Sequence, residues 1–195
     1  MDLSETEERN GRLYSLENSE PVSGVVYSLY EGSDQVEAGV RYRSGIKHGS
    51  SKGFHTNGER SFVENYRNGV REGRRKEWFD NGEFRYDGTF VSGETEGNLR
   101  EWTVDGVLVL EQSMTEGKVH GKKTTWYPNG QMESEALYTH GGVEGIVTRW
   151  YESGQKKPSA PMRAGTPTGP PGNGMKTETR EARTRGKAGN RTIAS

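Results

Sequence analysis

The chain has 195 residues, of which 28% belong to the apolar and aromatic set AVILMFWYC and 28 residues are glycine. Its longest apolar run, residues 107–110, is far shorter than the ~20 residues of a membrane-spanning helix, and the low apolar share excludes a large two-layer core. The formal net charge is −1 and cysteine is absent, which excludes disulfides and thiolate chemistry and fits a cytoplasmic location.

Charge and composition change along the chain. Residues 1–20 carry six acids and two bases, whereas residues 159–195 carry two acids and seven bases and are rich in Pro, Gly and Thr. Such a composition buries too little apolar surface to offset chain entropy. We predict an acidic N-terminal segment over residues 1–12, a repeat domain over residues 13–169 and a basic, low-complexity, disordered tail over residues 170–195.

Most of the glycines recur in three series that share a 24-residue period. Regular glycines in a chain that is not of low complexity indicate turns at fixed intervals, because glycine adopts positive φ without steric cost. The predicted turn glycines are Gly49, Gly58, Gly69, Gly73, Gly82, Gly93, Gly97, Gly106, Gly117, Gly121, Gly130, Gly141, Gly145 and Gly154.

Each 24-residue unit reads as two strands and two turns. Asn81-Gly82 and its equivalents one period away predict a two-residue type I′ turn, and residues 68–73 predict a second, looser turn. In that register Phe79 faces Phe84 and Trp78 faces Arg85, so Trp78 and Phe84 fall on opposite faces. The fold class is therefore all-β, an elongated antiparallel β-meander of repeated 24-residue β-hairpins with about ten to twelve strands.

Aromatic residues follow the same period. One column, a set of positions related by that period, contains all four tryptophans and consists of Phe54, Trp78, Trp102, Trp126 and Trp150. Because the period is an even number, these side chains share one face and form a row, with a second-strand residue between successive tryptophans. The row is either a platform for a protein, sugar or base, or the packing spine of a thin sheet; packing is the commoner role, and the two are compatible.

Catalytic, cofactor-binding and metal-binding residues are not predicted. His48 and His120 share a column but lie three units, ~29 Å, apart, too far to hold one ion, while His55 and His140 occupy other columns. The glutamates that precede closing glycines, such as Glu72, Glu96 and Glu144, recur with the turns as a solvated rim would. Neither a nucleophile elbow nor a phosphate-binding loop is present in the sequence, so we expect no enzyme.

Several segments resemble a known repeat. Tyr86, Gly88, Phe90, Gly93 and Gly97 are spaced as in the MORN repeat pattern of Tyr, Gly, an aromatic residue, Gly and a closing Gly, and residues 38–49 are similar. The alternation with Trp-Asn-Gly segments at residues 78–82 and 126–130 looks like the bacterial MORN-variant proteins, which include YwqK-type antitoxins.

The resemblance covers residues 10–169 and implies a MORN-like repeat sheet of about six units, the last of them degenerate. It implies a non-catalytic module that binds a protein partner, such as the cognate toxin of a toxin–antitoxin pair. Two alternatives remain open: association with anionic phospholipid through the basic tail, and glycan binding by an aromatic ladder. We expect no nucleic-acid partner, since the tail has no Phe, Tyr or Trp to stack on bases.

Overall fold

The computed structural model describes residues 1–158, and most of these residues are in β-strands. The predictions for residues 159–195, namely the end of the degenerate sixth unit and the disordered basic tail, lie outside the described residues. A single turn of 3-10 helix, Leu3–Glu5, precedes the first strand. The strands are β1 (Thr6–Arg9), β2 (Arg12–Ser15), β3 (Gly24–Leu29), β4 (Val36–Arg43), β5 (Ile46–Lys47), β6 (Gly49–Phe54), β7 (Arg60–Arg67), β8 (Val70–Arg71), β9 (Gly73–Trp78), β10 (Phe84–Val91), β11 (Glu94–Trp102), β12 (Leu108–Thr115), β13 (Lys118–Trp126), β14 (Met132–Thr139) and β15 (Gly142–Arg149).

Thirteen of these strands form one antiparallel sheet within residues 1–158. The order across it is β15-β14-β13-β12-β11-β10-β9-β7-β6-β4-β3, with the two-residue strands β5 and β8 beside β4 and β7. Strands β1 and β2 form a separate two-stranded sheet. The prediction of an all-β antiparallel meander built from consecutive hairpins is confirmed.

The tightest turns are at the corner that was predicted to be looser. Arg67 pairs with Val70 across the two-residue turn Asn68-Gly69, and both turn residues have positive φ, 51° and 86°. This is the type I′ conformation, whose twist matches that of the flanking strands. The same two-residue turn recurs between Val91 and Glu94, one period later.

At Asn81-Gly82 the predicted two-residue turn is wrong. The Gly82 N–H donates to the Phe79 carbonyl (3.0 Å) and the Phe79 N–H donates to the Glu83 carbonyl (2.8 Å), so the loop contains three residues, 80–82. Within this loop only Gly82 has a positive φ, 87°. The geometry is a type I turn followed by a left-handed glycine.

The longer loop changes the register of the hairpin. Phe84 pairs with Trp78, and the extra residue Arg85 forms a β-bulge before pairing resumes at Tyr86. The predicted pairs of Phe79 with Phe84 and of Trp78 with Arg85 are therefore wrong. Directly opposed residues share a face, so Phe84 lies on the same face as Trp78 rather than on the opposite one.

All fourteen predicted turn glycines have positive φ, between 71° and 104°. The closing glycines, of which Gly121 is one, lie at bulges in the second strand of each hairpin. There Gln112 pairs with Lys123 and Met114 pairs with Val119, so three residues of β13 lie opposite one residue of β12. These bulges repeat with the period and keep the units equivalent.

Two sets of side-chain hydrogen bonds join successive units. In the first, an asparagine of the three-residue loop donates through Nδ2 to a carbonyl 23 residues later. These bonds run from Asn57 to Asp80 (2.6 Å), from Asn81 to Val104 (2.8 Å) and from Asn129 to Glu152 (3.0 Å).

In the second set, the glutamates before the closing glycines Gly73 and Gly97 each accept a hydrogen bond from the type I′ turn of the following unit. Glu72 Oε2 accepts from the Ser92 N–H (2.9 Å), and Glu96 Oε2 accepts from the Glu116 N–H (3.1 Å). These glutamates, interpreted from the sequence as a solvated rim, thus cap backbone donors that no strand pairing satisfies.

The N-terminal strands pack on the first units of the sheet. Leu13, Val22 and Val26 form a buried cluster against which Tyr42 packs. The Leu13 N–H donates to the Gly45 carbonyl (2.9 Å), and the Gly45 N–H donates to the Val22 carbonyl (2.8 Å). The N-terminal hairpin is thereby joined to the type I′ turn Ser44-Gly45. The division between residues 1–12 and 13–169 stays a prediction.

Candidate functional site

The aromatic row forms a run of contacting rings near the three-residue loops. The rings of Trp78 and Phe84 have centroids 5.7 Å apart, and the rings of Phe84 and Trp102 are again 5.7 Å apart. A second-strand residue therefore lies between successive tryptophans, as the sequence predicts. Because of the bulge at Arg85, that residue is the aromatic Phe84, which the sequence analysis placed on the other face.

Cations flank these rings. The Arg60 guanidinium lies 5.6 Å from the Trp78 ring centroid, and Lys76 Nζ lies 5.3 Å from that of Phe84. Phe54 joins Arg60 and Trp78 in lining an open cleft of 370 Å³. Phe84 is 38% exposed and the tryptophans on either side of it are partly buried, so the rings contribute to packing and still present an accessible surface.

Toward the C-terminal end the row continues with aliphatic side chains between the tryptophans. Trp102 pairs with Leu108, and Trp126 pairs with Met132. Trp150 forms an isolated bridge with Lys156. The structure thus brings Phe54, Trp78 and Trp102 into one neighbourhood, and Trp126 and Trp150 extend the same row without an intervening aromatic residue.

A band of ion pairs lies beside the aromatic row on the same face. Arg100 and Glu111 are paired across β11 and β12 at 2.6 Å, and Lys122 and Glu135 are paired across β13 and β14 at 2.6 Å. These side chains are 37–59% exposed, so each pair contributes little to stability. Their effect is to place alternating charges next to the rings.

The opposite face contains a polar cluster that the sequence analysis missed. Glu64 is 8% exposed and accepts hydrogen bonds from the Tyr66 hydroxyl (2.9 Å), Arg71 Nε (2.9 Å) and Arg75 Nη1 (3.3 Å). Burial raises the pKa of Tyr66, and the hydrogen bond to Glu64 raises it further. The cluster is a satisfied structural network, because the donors that surround the Glu64 carboxylate compensate for its burial.

A second cleft, of 210 Å³, opens where the bulge at Arg85 meets the neighbouring strands. Its lining residues are Glu77, Phe79, Arg85, Tyr86, Glu101 and Trp102. Aromatic and carboxylate groups are therefore concentrated at one position of the repeat. The sequence periodicity does not reveal this cleft, because its walls come from three strands and depend on the bulge.

His140 lies in a type I′ turn, His48 and His55 lie between strands, and His120 lies in β13 next to the closing Gly121. His120 and His140 have ring centroids 5.0 Å apart, although they occupy different columns, and His48 makes the equivalent contact with Asn68. Across residues 1–158, the side chains of His, Cys, Asp and Glu form no group of three or more that is arranged to hold a metal ion. The absence of catalytic, cofactor and metal residues from the site stays a prediction.

One unit of the sheet is recognised by comparison with known families. Residues 119–140 match the family model described as MORN repeat variant. The matched range starts in β13, includes the loop at Gly130 and ends in the type I′ turn after β14, so it coincides with one structural unit. A unit of this kind is a repeat module that is generally non-catalytic and often binds proteins or membrane lipids.

No curated protein matches the chain. Among residues 1–158 there is also no helix with the length and apolar character needed to cross a membrane.

Proposed function

We propose that this chain is a non-catalytic MORN-like repeat module that binds another protein through the aromatic row, acting in the cytoplasm as the antitoxin of a toxin–antitoxin pair. The observation that carries the proposal is the continuous contact of Trp78, Phe84 and Trp102, with Arg60 and Lys76 against the rings. The antitoxin role is supported by the resemblance to YwqK-type proteins and by the match of one unit to the MORN repeat variant.

The composition of the row favours a protein partner. Trp and Arg are the residue types most enriched among those that dominate binding energy at protein interfaces. Here both types are held on paired strands, so little side-chain entropy remains to be lost when a partner docks. The adjacent exposed ion pairs provide a polar rim around an apolar centre, which is the usual arrangement of such interfaces.

The same features disfavour the alternatives. A glycan ladder requires flat rings at regular intervals, but Leu108 and Met132 separate the later tryptophans. Residues 21–158 carry twenty acids and eighteen bases, so the repeat body does not attract anionic phospholipid. Lipid association therefore depends on the basic tail and would be strongly salt-sensitive.

The test is direct binding to the product of the neighbouring gene, the candidate toxin, by titration calorimetry. Phe84→Ser removes an exposed ring from the centre of the row, and Lys76→Glu reverses a flanking charge. Val91→Ser is the matched control, because Val91 lies on the same strand, is 50% exposed and is remote from the row. We expect the first two variants to weaken binding at least tenfold and the control to bind as the unaltered chain does.

Thermal unfolding of all three variants, followed by circular dichroism, tests whether they remain folded. Equal binding by Phe84→Ser and Val91→Ser would refute the aromatic row as the interface. Sedimentation with anionic vesicles at low and high salt tests the lipid alternative. Salt-sensitive vesicle binding that needs the basic tail, together with no binding to the gene product, would overturn the protein-binding function.

A further inference from the structure

The 210 Å³ cleft is lined by two aromatic rings and two carboxylates on the face opposite to the aromatic row. Phe79 and Tyr86 supply the rings, Glu77 and Glu101 supply the carboxylates, and Trp102, the neighbour of Glu101, borders the cleft. Aromatic faces carry negative quadrupolar potential, and carboxylates add formal negative charge, so both kinds of group attract a cation.

Strand register fixes the carboxylates on either side of Tyr86. Tyr86 of β10 pairs with Glu77 on β9 and with Glu101 on β11. Glu77 accepts a hydrogen bond from Arg75 Nε (2.8 Å) and forms an ion pair with the same guanidinium, which holds its carboxylate in place and neutralises its charge. Glu101 is exposed and forms no ion pair within residues 1–158, so it provides a charge that is not neutralised by the described part of the chain.

The mouth of the cleft is already occupied, loosely, by a cation of the chain itself. The Arg85 guanidinium lies 5.9 Å from the Phe79 ring centroid, and its Nε lies 4.0 Å from Glu77 Oε2. The Arg85 side chain is 62% exposed and makes only this long ion pair among the described residues. A contact of that length in solvent is weak, so a better-placed cation can replace it.

We infer that the cleft receives a lysine or arginine side chain of the protein partner, with Arg85 moving out as the partner's cation enters. The inference rests on the proposed protein-binding function and specifies the chemistry of the segment that is recognised. Phe79 and Tyr86 contact the alkyl stem, while Glu101 neutralises the charge.

The combination of groups occurs at one place among the equivalent positions of neighbouring units. One period later, Phe79 is replaced by Thr103 and Tyr86 by Leu110, and Glu101 is replaced by Thr125. Since the backbone geometry repeats, this difference in side chains is what makes the cleft specific to the third unit. A partner's basic segment is thereby located at a fixed point along the sheet.

The experiment is an NMR titration of the full-length chain, followed through the tryptophan indole signals. The probes are a short peptide with one central lysine, the same peptide with trimethyllysine, and the same peptide with norleucine, which keeps the stem and removes the charge. We expect both cationic peptides to shift the Trp102 signal in a saturable way and the norleucine peptide to leave it unchanged. Equal effects of the lysine and norleucine peptides would refute recognition of charge.

Two variants test the roles of the charged groups. Arg85→Ala removes the competing cation and should tighten lysine-peptide binding about threefold, whereas Glu101→Gln should weaken it about threefold. Glu133→Gln is the matched control, since Glu133 is an exposed carboxylate in the bulge position equivalent to Arg85 two units later. A lack of response to Arg85→Ala and Glu101→Gln, or an equal response to the control, would overturn the inference.

Zwitterionic phosphatidylcholine vesicles form a further arm, because choline headgroups carry the same type of cation. Binding of vesicles without binding of any lysine peptide would overturn the assignment to a protein segment. If the lysine peptides fail while Phe84→Ser still abolishes capture of the gene product, the cleft inference fails and the proposed function stands. If lysine peptides bind and the gene product does not, the proposed antitoxin function fails instead.

Discussion

Asp105 interrupts the series of asparagine hydrogen bonds between units, and replacing it by asparagine should complete the series. In three loops an asparagine donates through Nδ2 to a carbonyl 23 residues later, as Asn81 does to Val104 at 2.8 Å. The equivalent acceptor for position 105 is the carbonyl of Pro128. An ionised aspartate has no hydrogen to donate, so it cannot form the equivalent bond.

The gain is one solvent-exposed hydrogen bond. We expect Asp105→Asn to raise the free energy of unfolding by about 0.5–1 kcal/mol. For a folded region of this size, the corresponding rise in melting temperature is about 1–4 °C. The reciprocal change Asn81→Asp, which removes an existing bond, should lower the stability by about 1 kcal/mol.

Urea denaturation followed by tryptophan fluorescence measures both changes, and hydrogen exchange of the flanking amides assigns them to the correct units. Asn81→Ala separates the loss of the bond from the added repulsion and should be less destabilising than Asn81→Asp. If Asp105→Asn left the stability unchanged while Asn81→Asp lowered it, the units would differ in loop geometry. If neither variant had an effect, the bonds between units would not stabilise the sheet.

Three further changes follow from particular contacts. Glu116 has a φ of 50°, a conformation that costs less for asparagine, so Glu116→Asn should raise the unfolding free energy by about 0.5–1 kcal/mol in urea denaturation; a decrease would contradict this. Glu64→Ala leaves Arg71 without its carboxylate partner and should cost about 2 kcal/mol in the same assay, and a cost below ~0.5 kcal/mol would refute the importance of the cluster. Burial and the bond to Glu64 raise the pKa of Tyr66, so its contribution to stability is complete below the unfolded pKa of about 10 and is lost as pH rises through the folded pKa. Tyr66→Phe should therefore reduce the loss of stability above about pH 10, and an unchanged loss would exclude Tyr66 as its source.

The 24-residue period was sufficient to predict the antiparallel meander, because spaced glycines and β-favouring aromatic residues leave no room for helices. Turn type could not be derived in the same way. Asn-Gly suits both a type I′ turn and a type I turn followed by a left-handed glycine, and only the hydrogen bonds at Phe79 and Gly82 distinguish them. That choice adds one residue to the loop and reverses the face assigned to Phe84.

For a related reason, the cleft and the contacts between units could not be predicted from the 24-residue spacing alone. Bulges change which residues meet, so His120 in β13 and His140 in the turn after β14 come together although they occupy different columns. Likewise, Glu77 and Glu101 flank Tyr86 only because pairing resumes after the bulge at Arg85. A prediction that included one bulge in each strand of the hairpin would have recovered these neighbours.

The bonds that join residues 20 or 23 apart also bear on how the chain acquires its structure during synthesis. The Ser92 N–H reaches Glu72, and Asn57 reaches Asp80, so each connection becomes available when roughly one more unit has left the ribosome. Contacts of such short sequence separation carry a small loop-closure cost and favour rapid folding. The sheet can therefore extend unit by unit as translation proceeds, with each completed hairpin covering the edge of the one before it.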